Sequence, residues 1–534
     1  MKIGVLSDAH DNLPKVERQD IQDIMKLPAS SKKLLKIVLV SAQKKKLKVY
    51  LVGGILRDFF LKRDKDNPDI DFCLKKGAIN FARELSRKTK SGFVVLDKEH
   101  GAARLVKRIK DKVYTLDFTD FRGKTLEEDL ARRDFTINAI VLELEKAFGS
   151  GDFTRSLIDP CSGRKDLKNK LIRAAGGKAF DEDPLRILRA FSFACIFGFK
   201  IDKQTLKLIK LKKKKLSGVS CERIRDELFK ILDAPCAFDY LAALDKLKIL
   251  KLIFPEIEMM RGVSQGPYHH LDVWEHTLET IRQLEIVIKE LKNDRQAQDY
   301  LNQVVSSERK RRSLLKLAAF LHDIGKPRAR RRREGKLIFH GHERMALGIV
   351  EDICRRLRLS NDELSALKRI VFCHLRPGYL ADNEIITRRA KFRFFRDTAN
   401  EAASVLLMAI ADQRATRGPL TTKAGHEQHE RVVWGLIREY FRKAKEKRPA
   451  RLLTGDDLIR KFKLEPSPLI GKILREVEEL QAIGRIKTRQ EAFKIAEKLI
   501  FLSQKSPFDC AQGRQVKSHK SKAKDKKENY YVGH

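Results

Sequence analysis

Leu51-Val-Gly-Gly-Ile-Leu-Arg-Asp58 and, a short way on, Pro68-Asp-Ile-Asp-Phe-Cys-Leu74 decide how this chain is read. The first block is an apolar strand that meets two glycines and then a helix carrying Arg57. Glycines there let backbone N–H groups come close to a phosphate, while the helix start and Arg57 add positive potential. In the second block Asp69 and Asp71 stand two apart on a strand, so both side chains leave the same face. A bare Asp-x-Asp is more often a solvated edge. With Gly53, Gly54, Arg57 and Asp58 upstream, at a distance one helix spans, it reads instead as a carboxylate pair that needs a divalent cation. Mg2+ is the natural occupant, because it takes carboxylate and phosphate oxygens together. Two such ions ~3.5–4 Å apart clamp the attacking and leaving oxygens of an in-line displacement.

Working outward, strands are expected at Lys48 to Gly53, Asp69 to Leu74, Gly92 to Leu96 and Val113 to Phe118, alternating with amphipathic helices in a mixed α/β head. From Leu167 to about Glu430 apolar residues recur every three or four positions, as at Leu185, Leu188, Phe191 and Cys195, which predicts an all-α body. The fold class expected is α+β. The basic runs Lys212 to Lys215, Arg309 to Arg312 and Arg328 to Arg333 read as loops or helix ends, and each alone as a solvated face. Beyond Ser506 the chain is Lys/Ser-rich and poor in apolar residues, the composition of disorder.

Lys plus Arg number 113 against 72 Asp plus Glu, a net charge of +41, while 42% of residues are hydrophobic. Such a chain folds and also seeks a polyanion, either a phosphate backbone or an anionic surface. The eight cysteines, at 73, 161, 195, 221, 236, 354, 373 and 510, make no CxxC pair, so neither a zinc ribbon nor a disulfide framework is expected. Without a signal peptide or a membrane-spanning stretch, the reading is cytoplasmic and not membrane-bound.

Two further blocks carry chemistry in the head and its neck. Leu126 to Ile140 crowds Arg132, Arg133, Asp134 and Asn138 beside Phe135, Ile137 and Ile140; a capped helix with surface arginines is the plainer alternative. In Asp181-Glu-Asp-Pro-Leu-Arg-Ile-Leu-Arg189, residues Asp183, Arg186 and Arg189 are expected on one helical face. A carboxylate accepts from an exocyclic amine and a guanidinium donates to the neighbouring ring acceptor, so an Asp/Arg pair prefers cytosine and adenine. At ~1–3 kcal/mol per bidentate pair this is roughly tenfold to a hundredfold discrimination.

Gly53-Gly54-x-x-Arg57-Asp58, Asp69-x-Asp71, Arg132-Arg133-Asp134-x-x-x-Asn138, Asp159-Pro-x-x-Gly163-x-x-Asp166 and Glu182-Asp183-x-x-Arg186-x-x-Arg189 resemble, in order, the motifs of class II tRNA nucleotidyltransferases, the bacterial CCA-adding enzymes and their poly(A) polymerase relatives. The resemblance spans about residues 34–505. It implies a polymerase-beta-like head and template-independent addition of CMP and AMP from CTP and ATP to tRNA 3′ ends. It assigns Asp69 and Asp71 to catalytic Mg2+, Gly54 and Arg57 to the triphosphate, and Arg133 and Asp134 to phosphate and ribose. Asp183 and Arg186 become the template for the base, with Arg189 near the phosphates. Gly53, Asp58, Arg132 and Asn138 complete the nucleotide-binding set. Asp117 is either a third carboxylate or a plain strand residue. Only Arg122 to Thr125 separate the Thr115 to Phe121 strand from the next helix, where many full CCA-adding members carry a longer loop. CC-only or A-only addition, or poly(A) synthesis, are therefore the alternatives.

In the body, His276, His322-Asp323 and Asp412 recur on successive helical segments, with His342 and His374 between. Imidazole and carboxylate together suit transition metals with open coordination. The set resembles an HD-domain phosphohydrolase, with His342 and His374 placed for a second ion such as Ni2+, Mn2+ or Co2+. In tRNA nucleotidyltransferases that bear it, the resemblance implies 2′,3′-cyclic phosphodiesterase, 2′-nucleotidase and phosphatase activity. Lys326 and the Arg328 to Arg333 run, directly after His322-Asp323, read as a guide for RNA or as a solvated loop. Leu452 through Pro466 to Ala492 resembles a tRNA-binding tail, which should hold duplex RNA by shape and phosphate contacts. A different class remains open: a basic RNA-binding HD phosphohydrolase with an inactive head.

The expected segments are 1–30, an extension whose Asp8 and His10 resemble the start of a metallophosphoesterase although no Gly-Asn-His follows; 31–150, the head; 151–260, a helical neck holding the template; 261–430, the HD domain; 431–505, the tail; and 506–534, a disordered basic end. Whether residues 1–30 are native stays open, and so does the choice between monomer and homodimer.

Overall fold

The computed structural model describes residues 29–63, 69–148, 153–383, 385–443 and 450–504. Asp8, His10 and the basic end 506–534 lie outside them. The described chain is α+β, in two compact units, 1–231 and 232–534.

The first unit is built on a sheet of seven strands: β1 (Val49–Val52), β2 (Ile70–Leu74), β3 (Gly92–Asp97), β4 (Ala102–Ile109), β5 (Lys112–Asp120), β6 (Val141–Glu143) and β7 (Leu157–Ile158). Their order is β3-β4-β5-β2-β1-β6-β7. The four expected strands are present, and β4, β6 and β7 join them. β2 and β5 are the parallel pair; every other neighbour in the sheet is antiparallel. Parallel neighbours need a long crossover, supplied here by the helix Ala78–Thr89 with β3 and β4.

In that parallel pair Asp71 lies opposite Asp117, and Phe72 opposite Phe118. Alternation of side chains then sends the two kinds of residue to opposite faces. Phe72 and Phe118 are fully buried and stack at 4.8 Å, with Phe81 of the helix Ala78–Thr89 edge-on to Phe118 at 5.6 Å. The carboxylates are left on the other face. Past the sheet the unit is helical, through Arg186–Phe197, Lys203–Lys212 and the start of Cys221–Asp233.

In the second unit the helices Val273–Glu290, Arg311–Leu321, His342–Arg356, Asn361–Cys373, Ala402–Ala415 and Lys423–Lys443 form the body. Ala402–Ala415 is buried from Ala402 to Ala411 without a break, so it is the body's central helix. Gly455–Phe462, Pro468–Ala482 and Arg489–Gln504 close around Leu458, Ile473, Val477, Ala492 and Ala496 as a separate small core.

The expectation of helix alone after Leu167 is corrected. Short pairs β8 (Leu171–Ile172) with β9 (Lys200–Ile201), β10 (Val304–Ser306) with β11 (Arg309–Lys310), and β12 (Arg331–Arg333) with β13 (Lys336–Ile338) interrupt it. Two basic runs read as loops or helix ends are therefore partly strand. In the first of them the side chains turn inward: Arg309 pairs with buried Glu363 and Arg311 with Glu401. The charges had hidden these residues because helical periodicity does not report partners distant in sequence.

Phe118→Ala removes a ring from the layer that holds β2 and β5 together. It should cost about 3–5 kcal/mol of head stability, read as a lowered denaturant midpoint with the body transition unchanged.

Candidate functional site

Gly53 sits at φ +80° between β1 and the helix Gly54–Phe60. A Cβ there would lie 2.7 Å from Asp71 Oδ2, so glycine is required both for the backbone and for the approach of the carboxylate. Asp69, just before β2, accepts a hydrogen bond from Thr115 Oγ1 on β5. Thr115 and Asp117 are two apart on β5 and face Asp69 and Asp71 across the parallel pair. Arg104 of β4, directly across from Asp117, clamps it with two bonds of 2.8 and 2.7 Å. Asp117 is thus a third carboxylate on the face. Burial, then Asp117, push the Asp71 carboxyl up to about 6, with Arg133 opposing. A half-buried carboxylate held near two others fits a divalent cation, which would relieve that repulsion.

The basic groups form one continuous network. Arg57 donates to Asp58 Oδ1 at 2.9 Å and to Asn138 Oδ1 at 2.8 Å. Asn138 in turn donates to Asp134 at 3.0 Å, and Asp134 pairs with Arg189 at 3.0 Å. Phe193 carries both guanidinium groups, Arg57 at 5.1 Å and Arg189 at 5.0 Å. Burial would raise the Asp134 carboxyl, but Arg189, Asn138 and the Phe135 N–H outweigh it and hold it low. Arg133 leans on Asp129 at 3.2 Å, and its charge reaches Asp71. Arg132 is half-exposed beside Glu182.

One expectation about the neck is corrected. Asp183 is not on the helical face of Arg186 and Arg189: it is extended, between the helices Ala179–Glu182 and Arg186–Phe197. Pro184 follows it, and a residue before proline is steered away from helix. Asp183 accepts from the Leu185 N–H at 3.1 Å and from Arg223 at 2.7 Å. Arg186 donates from Nη1 to the carbonyls of Arg132 and Ala179, at 2.9 and 3.1 Å. The two remain close in sequence and each is tied to the frame. Arg104 and Arg223 escaped the sequence reading. Only strand register and helix packing bring them to their carboxylates, and no local signal marks them.

In the second unit every expected metal-site residue converges. His276 lies on Val273–Glu290, His322 and Asp323 end Arg311–Leu321, His342 opens His342–Arg356, His374 ends Asn361–Cys373, and Asp412 lies on Ala402–Ala415. Two groups result, His276/His322/Asp412 and Asp323/His342/His374. Asp323 Oδ2 lies 3.1 Å from His322 and 3.6 Å from His276, while Oδ1 lies 3.3 Å from His342 and 3.9 Å from His374. One carboxylate therefore offers an oxygen to each group. The Nδ1 atoms of His322, His342 and His374 each meet the carbonyl three residues back, Ala319, Phe339 and Val371, at 2.8, 2.9 and 2.6 Å. These contacts orient the three rings with Nε2 turned toward the cluster, the usual support of a metal-binding histidine.

Asp323 Oδ1 is buried without a hydrogen-bonded partner, while Oδ2 faces His322 Nε2 at 3.1 Å and the Lys326 ammonium at 2.7 Å. Burial opposes charge on His322, but Asp323 and Asp412 outweigh it and draw the imidazole up to about 10. At His374 burial, with His342 and His322 beside it, pushes the imidazole down to about 3. The unpartnered Asp323 Oδ1 and a mixed imidazole–carboxylate set fit divalent metal ions. Lys326 reaches Asp323 and Gln265, both at 2.7 Å. His269, which the sequence reading passed over, packs its ring edge-on against His276 at 4.9 Å.

A carboxylate face beside a glycine turn and an arginine network, in a chain that also carries an HD-type cluster, defines a nucleotidyltransferase with an HD domain. Residues 49–173 match the family described as Poly A polymerase head domain, 198–260 the Probable RNA and SrmB-binding site of polymerase A, and 273–417 the HD domain. The chain is 32% identical over 452 residues to the A-adding tRNA nucleotidyltransferase of Deinococcus radiodurans, covering 83% of this chain and 93% of that one. To the CC-adding tRNA nucleotidyltransferase of Thermus thermophilus it is 28% identical, over 83% and 91%. In fold it resembles the Thermotoga maritima CCA-adding enzyme complexed with tRNA, with a TM-score of 0.59, 22% identity, and 90% and 97% coverage. The chain belongs to the tRNA nucleotidyltransferase family. Divalent metal use is implied by the head and HD families together with the donor groups. No helix among the described residues is long and apolar enough to cross a membrane.

Two outcomes follow from the charges. A divalent cation held by Asp71 would bind its ionised form, so the stabilisation such an ion gives should grow as pH rises through about 6; in thermal-shift titrations Asp71→Asn should remove that pH-dependent part. His322→Ala should lower metal content per chain, measured by elemental analysis after dialysis, while leaving nucleotide incorporation intact.

Proposed function

We propose that the chain builds or repairs the CCA end of tRNA, adding CMP and AMP from CTP and ATP without a nucleic-acid template. The observation that carries this is the carboxylate face of Asp69 and Asp71 against the Gly53 turn, in a member of the tRNA nucleotidyltransferase family. The tRNA 3′-hydroxyl gives up its proton to solvent as its oxygen bonds the α-phosphorus, the α–β phosphoanhydride bond breaks, and pyrophosphate leaves in line. Asp69 and Asp71 would hold Mg2+, which supplies charge for the entering and leaving oxygens. Gly53 and Gly54 leave room for the triphosphate, Arg57 is aimed by Asp58 and Asn138, and Arg133 offsets charge near Asp71. Arg132, Asp134 and Arg189 line the path to ribose and phosphate. Asp183 and Arg186 present acceptor and donor to the base, once Arg223 and the Arg132 carbonyl give up their hold. The HD cluster would hold Ni2+, Mn2+ or Co2+, and would hydrolyse 2′,3′-cyclic and terminal phosphates at RNA ends. The setting is cytoplasmic tRNA maturation, as monomer or homodimer.

A second reading, A-only or CC-only addition, is favoured by one feature. Phe121 to Thr125, between β5 and the helix Leu126–Ala131, form a tight turn in which Arg122 N–H meets Asp129, Lys124 N–H meets Glu128, and Thr125 caps the helix. Relatives named for A addition and CC addition agree with it. Transcripts ending at the discriminator base, at C and at CC, each given labelled CTP or ATP with Mg2+, separate the readings. Two CMP and one AMP in sequence support full CCA addition; arrest after CC, or addition of AMP to the CC transcript alone, supports the split activity. Asp71→Asn should reduce incorporation at least about 10³-fold, the cost of losing a charge partner of the transition state.

A further inference from the structure

Four basic clusters stand out on this +41 chain, and three of them are neutralised by the fold. Lys212 and Lys215 both hold Asp181. Arg309 and Arg311 hold buried Glu363 and Glu401. Arg389, Arg393 and Arg396 all converge on Glu479, itself 2% exposed. The fourth cluster is different. Arg328 and residues 330–336 are exposed, and among the described residues the one ion pair in Arg330 to Lys336 is Arg333 with Glu334, its neighbour in the turn, at 3.8 Å.

These arginines lie on a hairpin inserted between two metal-site residues, Asp323 and His342. β12 and β13 pair from Arg331↔Ile338 to Arg333↔Lys336. Glu334 and Gly335 both take positive φ, +51° and +75°, the two-residue turn whose twist matches that of the strands. Both feet of the hairpin are locked to the cluster. At the first, the Lys326 N–H bonds the Asp323 carbonyl at 3.0 Å and its ammonium bonds the Asp323 carboxylate at 2.7 Å. At the second, Phe339 directly follows β13, and its carbonyl orients His342 at 2.9 Å. Gly325 allows His342 to come this close, because a side chain there would collide with the His342 carbonyl.

We propose that the β12–β13 hairpin is an RNA guide for the HD cluster, gripping the phosphates of a single-stranded 3′ segment so that its terminal phosphate enters the metal site. Unpaired arginines on a rigid ribbon attract a phosphate chain and release its counterions. A mononucleotide offers them no phosphate chain to grip. The inference rests on the phosphohydrolase reading of the cluster. In that reaction a water oxygen bonds phosphorus, one P–O bond to ribose breaks, and the freed ribose oxygen takes the proton of the water.

The test compares two substrates in the Ni2+- or Mn2+-loaded full chain: an RNA oligonucleotide ending in a 2′,3′-cyclic phosphate, and adenosine 2′,3′-cyclic phosphate. The ratio of their kcat/KM values is measured for the wild type and for Arg331→Ser/Arg332→Ser/Arg333→Ser, whose changes are confined to exposed side chains. The proposal expects the ratio to fall at least tenfold and the salt dependence of RNA hydrolysis to flatten. A wild type active on both substrates with the ratio unchanged in the variant overturns the guide alone. A wild type inactive on both overturns the phosphohydrolase reading, and the guide with it.

Discussion

The parallel pairing of β2 with β5 is the constraint from which the head follows. Its register sets Phe72 against Phe118 on one face and Asp71 against Asp117 on the other, so the packing that stabilises the sheet also forces like charges together. The repulsion is visible in the Asp71 carboxyl, which burial and Asp117 push up to about 6. Arg104 relieves one of the two carboxylates from β4, and Arg133 weighs on the other. The remainder is what a divalent cation would neutralise, and it makes the site a place where phosphate oxygens and metal belong together.

The same logic recurs in the body with different chemistry. Three imidazoles are each pinned by the carbonyl three residues earlier, and for His322 and His374 a helix end supplies it cheaply because its last carbonyls lack intrahelical partners. His322 and His374 end their helices, and His342 begins one. Asp323 is the hinge of the cluster, since its two oxygens face different groups and its neighbour Lys326 offsets part of their charge. An unpartnered buried oxygen such as Asp323 Oδ1 is otherwise costly, and that cost is what a bound divalent ion would remove.

Charge is distributed with a purpose that the total conceals. Most basic clusters serve as internal clamps: Arg389, Arg393 and Arg396 fasten the helix Arg388–Thr398 to Glu479 of the small C-terminal core, and Arg309 and Arg311 fasten the body. A count of lysine and arginine cannot separate these from arginines that face solvent unpaired. The basic runs read from the sequence as alike therefore divide into structural pairs and one exposed ribbon.

By itself the sequence determined the identity of the chemistry. Gly53-Gly54, Asp69-x-Asp71 and His322-Asp323 are local patterns, legible because two-residue alternation and short turns place neighbouring side chains without help from the rest of the chain. Four of the strands were legible for the same reason, and the helices only as helical stretches; β4, eight residues long, was not read. Tertiary structure alone decided what depends on register and on distant contact. Arg104 meets Asp117 because β4 lies beside β5, Arg223 reaches Asp183 across 40 positions, and Asp183 leaves the helical face because Pro184 ends the preceding turn. The hairpin between Asp323 and His342 was hidden too, since the four arginines in a row from Arg330 to Arg333 carry no apolar period, and only the folded chain shows that both its ends are fastened to the same cluster.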